Sequence, residues 1–329
     1  MVLVLAGCAP VGVTPTAEPM PTETPEPSAM PEPTLPLECD DVFSDAEASD
    51  VLQFPVTLKL TPADINTEYD IATAQVGMFS CTWGGDNTTD NSWDQTIDLA
   101  ILAEAEAEFD TGVWQVNDGA TVYPDGSTAS EYRCSLTDER HSMCVANLLV
   151  DGYWAQAIVN SIGSNDGRTS GTAEASMRAV VDAVTNAIET AGEARPSWTV
   201  PAEALGGEYC GAPQQLDPGL AQFVETVALY RSGYYTCGWN ERAAVSIVPG
   251  GAWAFDGFGV APPVVSYDVP PLEPVTVDGA DAAFAACSYY CYAMLSVGGS
   301  SFTINMADST LEPFLAQLPA IVSAVADAG

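Results

Sequence analysis

Two stretches of this chain, "CVANLLVDGYWAQAIV" at residues 144–159 and "CYAMLSVGGSSFTINM" at residues 291–306, share one pattern. Aligned without gaps, they match at Cys144/Cys291, Ala146/Ala293, Leu148/Leu295, Val150/Val297 and Gly152/Gly299. The first four pairs recur with period two, which places them on one face of a strand. Asp151-Gly152 and Gly298-Gly299 are two-residue connections of the kind that need positive φ, so each stretch reads as a hairpin. A hairpin of this design, present twice, marks an internal duplication. The expected fold class is α+β: two tandem copies of an antiparallel β-sheet flanked by N- and C-terminal helices.

The flanking residues repeat as well. Cys39 precedes "DDVFSDAEASDVL", where Ser44 and Glu47 have capping-box spacing ahead of a short helix. Cys210 precedes "DPGLAQFVETVALYR", a second helix with Pro218 in its first turn. Cys81 in "FSCTWGG" and Cys237 in "YTCGWN" share the order aromatic, any residue, Cys, any residue, Trp. Each hairpin is followed by an apolar helical stripe: Met177, Val180, Val181, Val184 and Ile188, then Phe314, Leu318, Ile321, Val322 and Val325. Ser309 and Glu312 form a further capping box, and Pro319 is expected to kink or break the last helix. The copies are expected at residues 37–192 and 207–329, joined by a linker at 193–206.

Nine cysteines stand beside a single histidine, His141, and no two cysteines have Cys-x-x-Cys spacing, a pattern that argues against zinc. Disulfides and an oxidising compartment are the better reading. The first eight residues, "MVLVLAGC", end in Leu5-Ala6-Gly7-Cys8, which matches the lipobox of bacterial lipoprotein signals, with Cys8 as the lipidation site. The apolar stretch is short and lacks a basic start, so residues 1–8 read as a truncated signal. Residues 9–36 are a Pro/Thr/Glu tract with no apolar period, expected to be a disordered stalk reaching up to about 80 Å at about 3.1 Å per residue. With Cys8 assigned to the lipid, the repeat suggests pairing within each copy: Cys39–Cys81 and Cys134–Cys144, then Cys210–Cys237 and Cys287–Cys291.

Net charge is −37, with eight Lys and Arg against 45 Asp and Glu. Phosphate-backbone binding needs clustered basic residues, so nucleic acid is excluded as a partner, and an anionic membrane surface would repel the folded part. Contact with the membrane is expected through the lipid anchor alone, on the extracellular face.

Lipobox, Pro/Thr stalk, a Cys before a capped helix and a later Cys-x-Trp strand together resemble actinobacterial envelope lipoproteins of unknown function. Their domains are similar to PsbP-like α/β/α sandwiches, which also serve as extracellular sensor domains. The resemblance implies a diacylglyceryl group on Cys8 and supplies no catalytic residues. The tandem arrangement and the extra Cys134–Cys144 type of pair go beyond the simplest pattern of that family.

Sites of chemistry are sparse. His141, in "TDERHSMC", has no nucleophile elbow to serve and reads as a solvated residue at a hairpin tip. "GSNDGRTSGT" at 163–172 lacks P-loop spacing and reads as a strand-to-helix connection with Ser170 or Thr172 as N-cap. "DNTTDNSWD" at 86–94 departs from calcium-loop spacing and reads as a polar turn, and "AEAEAEFD" at 103–110 ends a strand or begins an exposed helix. No metal or cofactor is expected. Paired carboxylates could serve a hydrolase, and a cleft holding an acid and a base of divergent pKa would be its mark. The segment at 251–274 is aromatic and Pro-rich. Trp253 aligns with Trp114, and Trp253, Phe255 and Phe258 either fill the core or, with Trp114, form the contact surface for a ligand. Packing is the favoured reading, and this remains the first choice of interaction surface. The function expected is non-catalytic binding of a solute, glycan or envelope protein, with a scaffolding lipoprotein or a carboxylate-dependent hydrolase as alternatives.

Overall fold

The structure is a computed structural model that describes residues 30–85, 95–107, 109, 121–122, 130–136, 141–162, 170–200, 223–239, 243–258, 270–307 and 310–326. In chain order the first copy runs α1 (Cys39–Val42), α2 (Asp45–Leu52), β1 (Thr57–Leu60), α3 (Glu68–Gln75), β2 (Phe79–Gly84), β3 (Thr96–Leu102), β4 (Thr121–Val122), β5 (Ser130–Leu136), β6 (His141–Val150), β7 (Tyr153–Ile162) and α4 (Ser170–Thr190). The second runs α5 (Val224–Arg231), β8 (Tyr235–Trp239), β9 (Ala243–Val248), a 3-10 turn (Gly251–Ala254), α6 (Phe255–Phe258), β10 (Glu273–Pro274), β11 (Ala282–Cys287), β12 (Tyr290–Val297), β13 (Ser300–Ala307), α7 (Leu311–Leu315) and α8 (Leu318–Ala326).

The strands form two antiparallel sheets, ordered β1-β2-β3-β7-β6-β5-β4 and β10-β11-β12-β13-β9-β8. Apart from β1, the two orders superpose strand for strand. The register agrees too: Phe79↔Ile101 answers to Tyr235↔Ile247, and Leu99↔Ala157 to Val245↔Ile304. Both hairpin turns adopt the conformation their residues require, with φ of 49° and 82° at Asp151-Gly152 and 53° and 77° at Gly298-Gly299. The period-two positions Cys144, Ala146, Leu148 and Val150 are buried in the first core, and Cys291, Ala293, Leu295 and Val297 in the second.

On its inner face the first sheet packs against α1, α2 and α4, whose Met177, Val180, Val181, Val184 and Ile188 are all buried. The inner face of the second sheet packs against α7 and α8 through Phe314, Leu318, Ile321 and Val322. The expected single last helix is two helices. Pro319 lacks an N–H and its ring would strike the carbonyl of Leu315, so α7 ends at Leu315 and α8 restarts with Pro319 in its first turn. The N-cap of α7 is Thr310, which makes no side-chain cap bond, and Ser309 lies outside the described residues. α4 already includes Ser170 and Thr172, so neither is its N-cap. The Ser44/Glu47 capping box is present on α2, and an equivalent Thr67/Asp70 box opens α3.

The outer faces are covered by exchange. α3, from the first copy, lies on β9, β13 and the 3-10 turn of the second sheet; α5, from the second copy, lies on β3 and β7 of the first sheet. Ile71 and Ala72 of α3 join Val248, Phe284 and Met294 in one cluster, while Val224, Val227 and Ala228 of α5 join Ala100, Leu102 and Trp154 in another. The two helices are counterparts. Each ends two residues before a left-handed glycine, Gly77 (φ 71°) or Gly233 (φ 73°), that leads to an aromatic-x-Cys strand. The helix after Cys39 is therefore not the counterpart of the one before Cys237: the counterpart of α5 is α3, and α5 begins at Val224, with Pro218 outside the described residues.

Packed structure begins before residue 37. Thr34, Leu35 and Leu37 are buried, the Thr34 N–H donates to Gly77 O at 2.9 Å, and the Arg195 N–H donates to Thr34 O at 2.8 Å. The apolar side chains Leu35 and Leu37 draw the end of the Pro/Thr/Glu tract onto the body. Residues 193–200 of the expected linker carry no helix or strand, and Arg195 also pairs with Glu32 at 3.2 Å.

Candidate functional site

Cys39–Cys81 and Cys287–Cys291 are disulfides, as the repeat suggested. The first ties α1 to β2; the second closes the β11–β12 hairpin across directly opposed positions. Cys144 and Cys237 are also disulfide-bonded. Cys134 stands opposite Cys144 in the β5–β6 register, and Cys210 lies outside the described residues. Cys8, Trp114 and the loops at 86–94 and 163–169 also lie outside them. His141 opens β6, opposite Ile162. The segment 103–107 is a turn that follows the end of β3.

Trp253, Phe255 and Phe258 are core residues. They are buried, and Phe255, Phe258 and Phe284 pack edge-to-face or tilted as a trio with centroids 5.1 to 6.3 Å apart. Rings packed in this way fill the space under α3, which removes them as the main contact surface. Trp253 and Phe258 do border a hollow of about 310 Å³, together with Met30, Ile65 and Asp256.

The exchange of helices leaves a larger groove where α3 and α5 meet over β2 and β3. One hollow of about 380 Å³ is lined by Asp64, Tyr69, Asp70, Ser80, Thr82 and Glu225, among others. A neighbouring one of about 210 Å³ shares Ser80, Thr82 and Glu225 and adds Asp98 and Gln156. No Lys, Arg or His is among the residues lining either. Residues of both copies therefore build one acidic groove.

Asp98 reaches it because β3 alternates: Ile97, Leu99 and Ile101 face the first core, so Asp98 and Ala100 face outward. Its carboxylate accepts from Thr82 Oγ1 at 2.9 Å and Thr96 Oγ1 at 2.8 Å, and Thr96 in turn accepts from Asn160 Nδ2 at 3.2 Å. Burial raises its pKa despite the two hydroxyls. Asp70 is the third residue of α3, and one of its oxygens accepts from the backbone of Asn66 and Thr67; burial again raises its pKa. Glu225, in the first turn of α5, stays solvent-accessible along the groove but is hemmed in by protein. Desolvation raises its pKa first, and the charges of Asp98 and Asp70 add to the effect. All three carboxyls are displaced the same way, upward, with burial as the largest cause. Among the described residues no group of three or more His, Cys, Asp or Glu could hold a metal ion.

The matching place on the second sheet is built differently. Register equivalence puts Ala244 where the first sheet has Asp98, Thr303 for Gln156, and Tyr69 of α3 for Glu225 of α5. Tyr234 Oη, Thr236 Oγ1 and Ser246 Oγ form a hydroxyl triangle with sides of 2.7, 2.9 and 3.2 Å. The Tyr292 hydroxyl donates to buried Glu68 at 2.6 Å. Burial raises the pKa of both Tyr234 and Tyr292, so these phenols stay neutral donors. Sequence reading missed Asp98, Asp70 and Glu225. An Asp set against the apolar face of "TIDLAIL" was the one signal available.

No family model matches the chain, and no curated protein matches it. Among solved structures it is similar to DynU16, a protein of the dynemicin biosynthetic locus, at 12% identity over 89% of this chain and 93% of that one, with a TM-score of 0.14. A likeness at that level carries no argument about fold or activity.

Proposed function

We propose that this is a lipid-anchored protein of the extracellular face of the membrane, non-catalytic, whose groove between α3 and α5 takes an organic cation. That cation is a small amine or guanidinium solute, or the basic side chain of an envelope partner. The observation that carries the reading is a groove lined by Asp70, Asp98 and Glu225 and by no basic side chain. Carboxylates whose pKa is raised by burial, and at Glu225 also by the charges of Asp98 and Asp70, gain from a neutralising ligand. The overall charge of −37 raises the local concentration of cations. The disulfides support an oxidising compartment, and the lipobox at Cys8 supports the anchor.

The test is a thermal-shift and calorimetry screen with spermidine and arginine amide, with calcium and a neutral oligosaccharide as controls. A ligand that binds only the folded form stabilises it by about 2.7 kcal/mol at a hundred times its Kd. The organic cations should raise Tm, and Asp98→Asn with Glu225→Gln should abolish the rise. A rise that persists in the double variant would refute the groove. Silence across the screen would move the reading to a scaffolding lipoprotein.

A further inference from the structure

We propose that each copy is completed only by another copy, so that the chain is a fused, helix-exchanged pair that folds and holds as one body. The partner a single copy fits is a second copy of itself. Each sheet has two faces, and the trailing helices, α4 or α7 with α8, cover only the inner one. The outer faces carry large apolar side chains, Trp154 on the first sheet and Phe284 on the second. The first is covered by α5 of the opposite copy, and the second by α3 of the opposite copy together with its own 3-10 turn and α6.

The exchange is reciprocal at residue level. Counting back from the matched turns at Gly77 and Gly233, Ile71 answers to Val227 and Ala72 to Ala228, and all four are fully buried. This is the self-complementary pattern of an isologous dimer, in which one patch meets its own image. Polar bonds also cross in both directions. Arg231 at the end of α5 donates to Ala103 O at 2.8 Å and Glu104 O at 2.7 Å in the first copy, and Tyr292 of the second copy holds Glu68 of α3. Helices of eight residues do not persist unpacked in water. α3 and α5 therefore depend on the sheet of the other copy, and each outer face depends on a helix that the other copy gives away.

Native-state hydrogen exchange on the intact chain tests this. Val227→Ala in the second copy should cost the amides of β3 and β7 in the first copy at least about tenfold in protection, no less than it costs β9 and β13. Ile71→Ala should do the same to β9 and β13. Protection lost only from the variant's own sheet would overturn the proposal. Two further measurements do not depend on variants. Probes in the two sheets should report one urea transition, and a chain nicked by protease within residues 201–206 should elute as one species of native size. Separate transitions, or two pieces that part as folded bodies, would overturn it.

Discussion

Removing the Cys39–Cys81 bridge should cost about twice as much stability as removing Cys287–Cys291. The two close loops of very different length, with sequence separations of 42 and 4 residues. In the chain-entropy treatment the longer loop restricts the unfolded chain by about 4 kcal/mol and the shorter by about 2 kcal/mol. Both pairs join positions already adjacent in the fold, α1 to β2 in one case and opposed residues of β11 and β12 in the other, so the unfolded state sets the difference. The assay is urea denaturation of the Cys39→Ala/Cys81→Ala and Cys287→Ala/Cys291→Ala double variants. At a slope of about 3 kcal/mol per molar, midpoints should fall by about 1.3 M and about 0.7 M. Equal falls, or a larger fall for the Cys287–Cys291 variant, would refute the reasoning.

Gly77→Ala should destabilise more than Gly233→Ala: both positions have left-handed φ, worth about 1 kcal/mol, but at Gly77 the added Cβ also runs into the Thr34 hydroxyl while at Gly233 its nearest neighbour is 3.6 Å away. Thermal melts of the two variants separate the effects. Tyr292→Phe should cost about 1–3 kcal/mol by leaving buried Glu68 without its donor, and a double-mutant cycle with Glu68→Gln should show coupling. For Asp98 the folded-state pKa lies above the unfolded value, so the folded form holds the proton more tightly. Its contribution is fully present below the ordinary aspartate value of the unfolded chain and is lost as pH rises through the elevated folded value. Stability of Asp98→Asn, followed by urea titration from acid to neutral pH, should therefore decline less than that of the parent. Cys8→Ala should move the protein from the membrane fraction to the soluble fraction of the envelope.

The hairpins were legible because a sheet with one buried core face imposes period two, and a two-residue turn admits few residue types. The α4 stripe was legible because 21 residues give a helical period room to show. α3 was not, since an eight-residue helix that buries Ile71 and Ala72 against a sheet presents too few apolar residues for a period. The exchange lay beyond sequence for a different reason. Periodicity tells which face of a helix is apolar, but not whose sheet it will cover. The groove shared that difficulty, because Asp70 and Asp98 meet Glu225 only after the exchange. Trp253 and Phe258 stood out as aromatics, yet aromatic content does not distinguish a contact surface from a core.

The strap at residues 34–39 has a mechanical consequence. A pull on the N-terminal segment enters the body at Thr34, where backbone bonds to Gly77 and Arg195 meet it, and five residues later it arrives at the sulfur bridge from Cys39 to Cys81. Tension then passes through a covalent link straight into β2, an interior strand of the first sheet. Apart from the hydrogen bond at Gly77, the covalent link bypasses the chain between those two cysteines, including the α3 helix that the second sheet relies on.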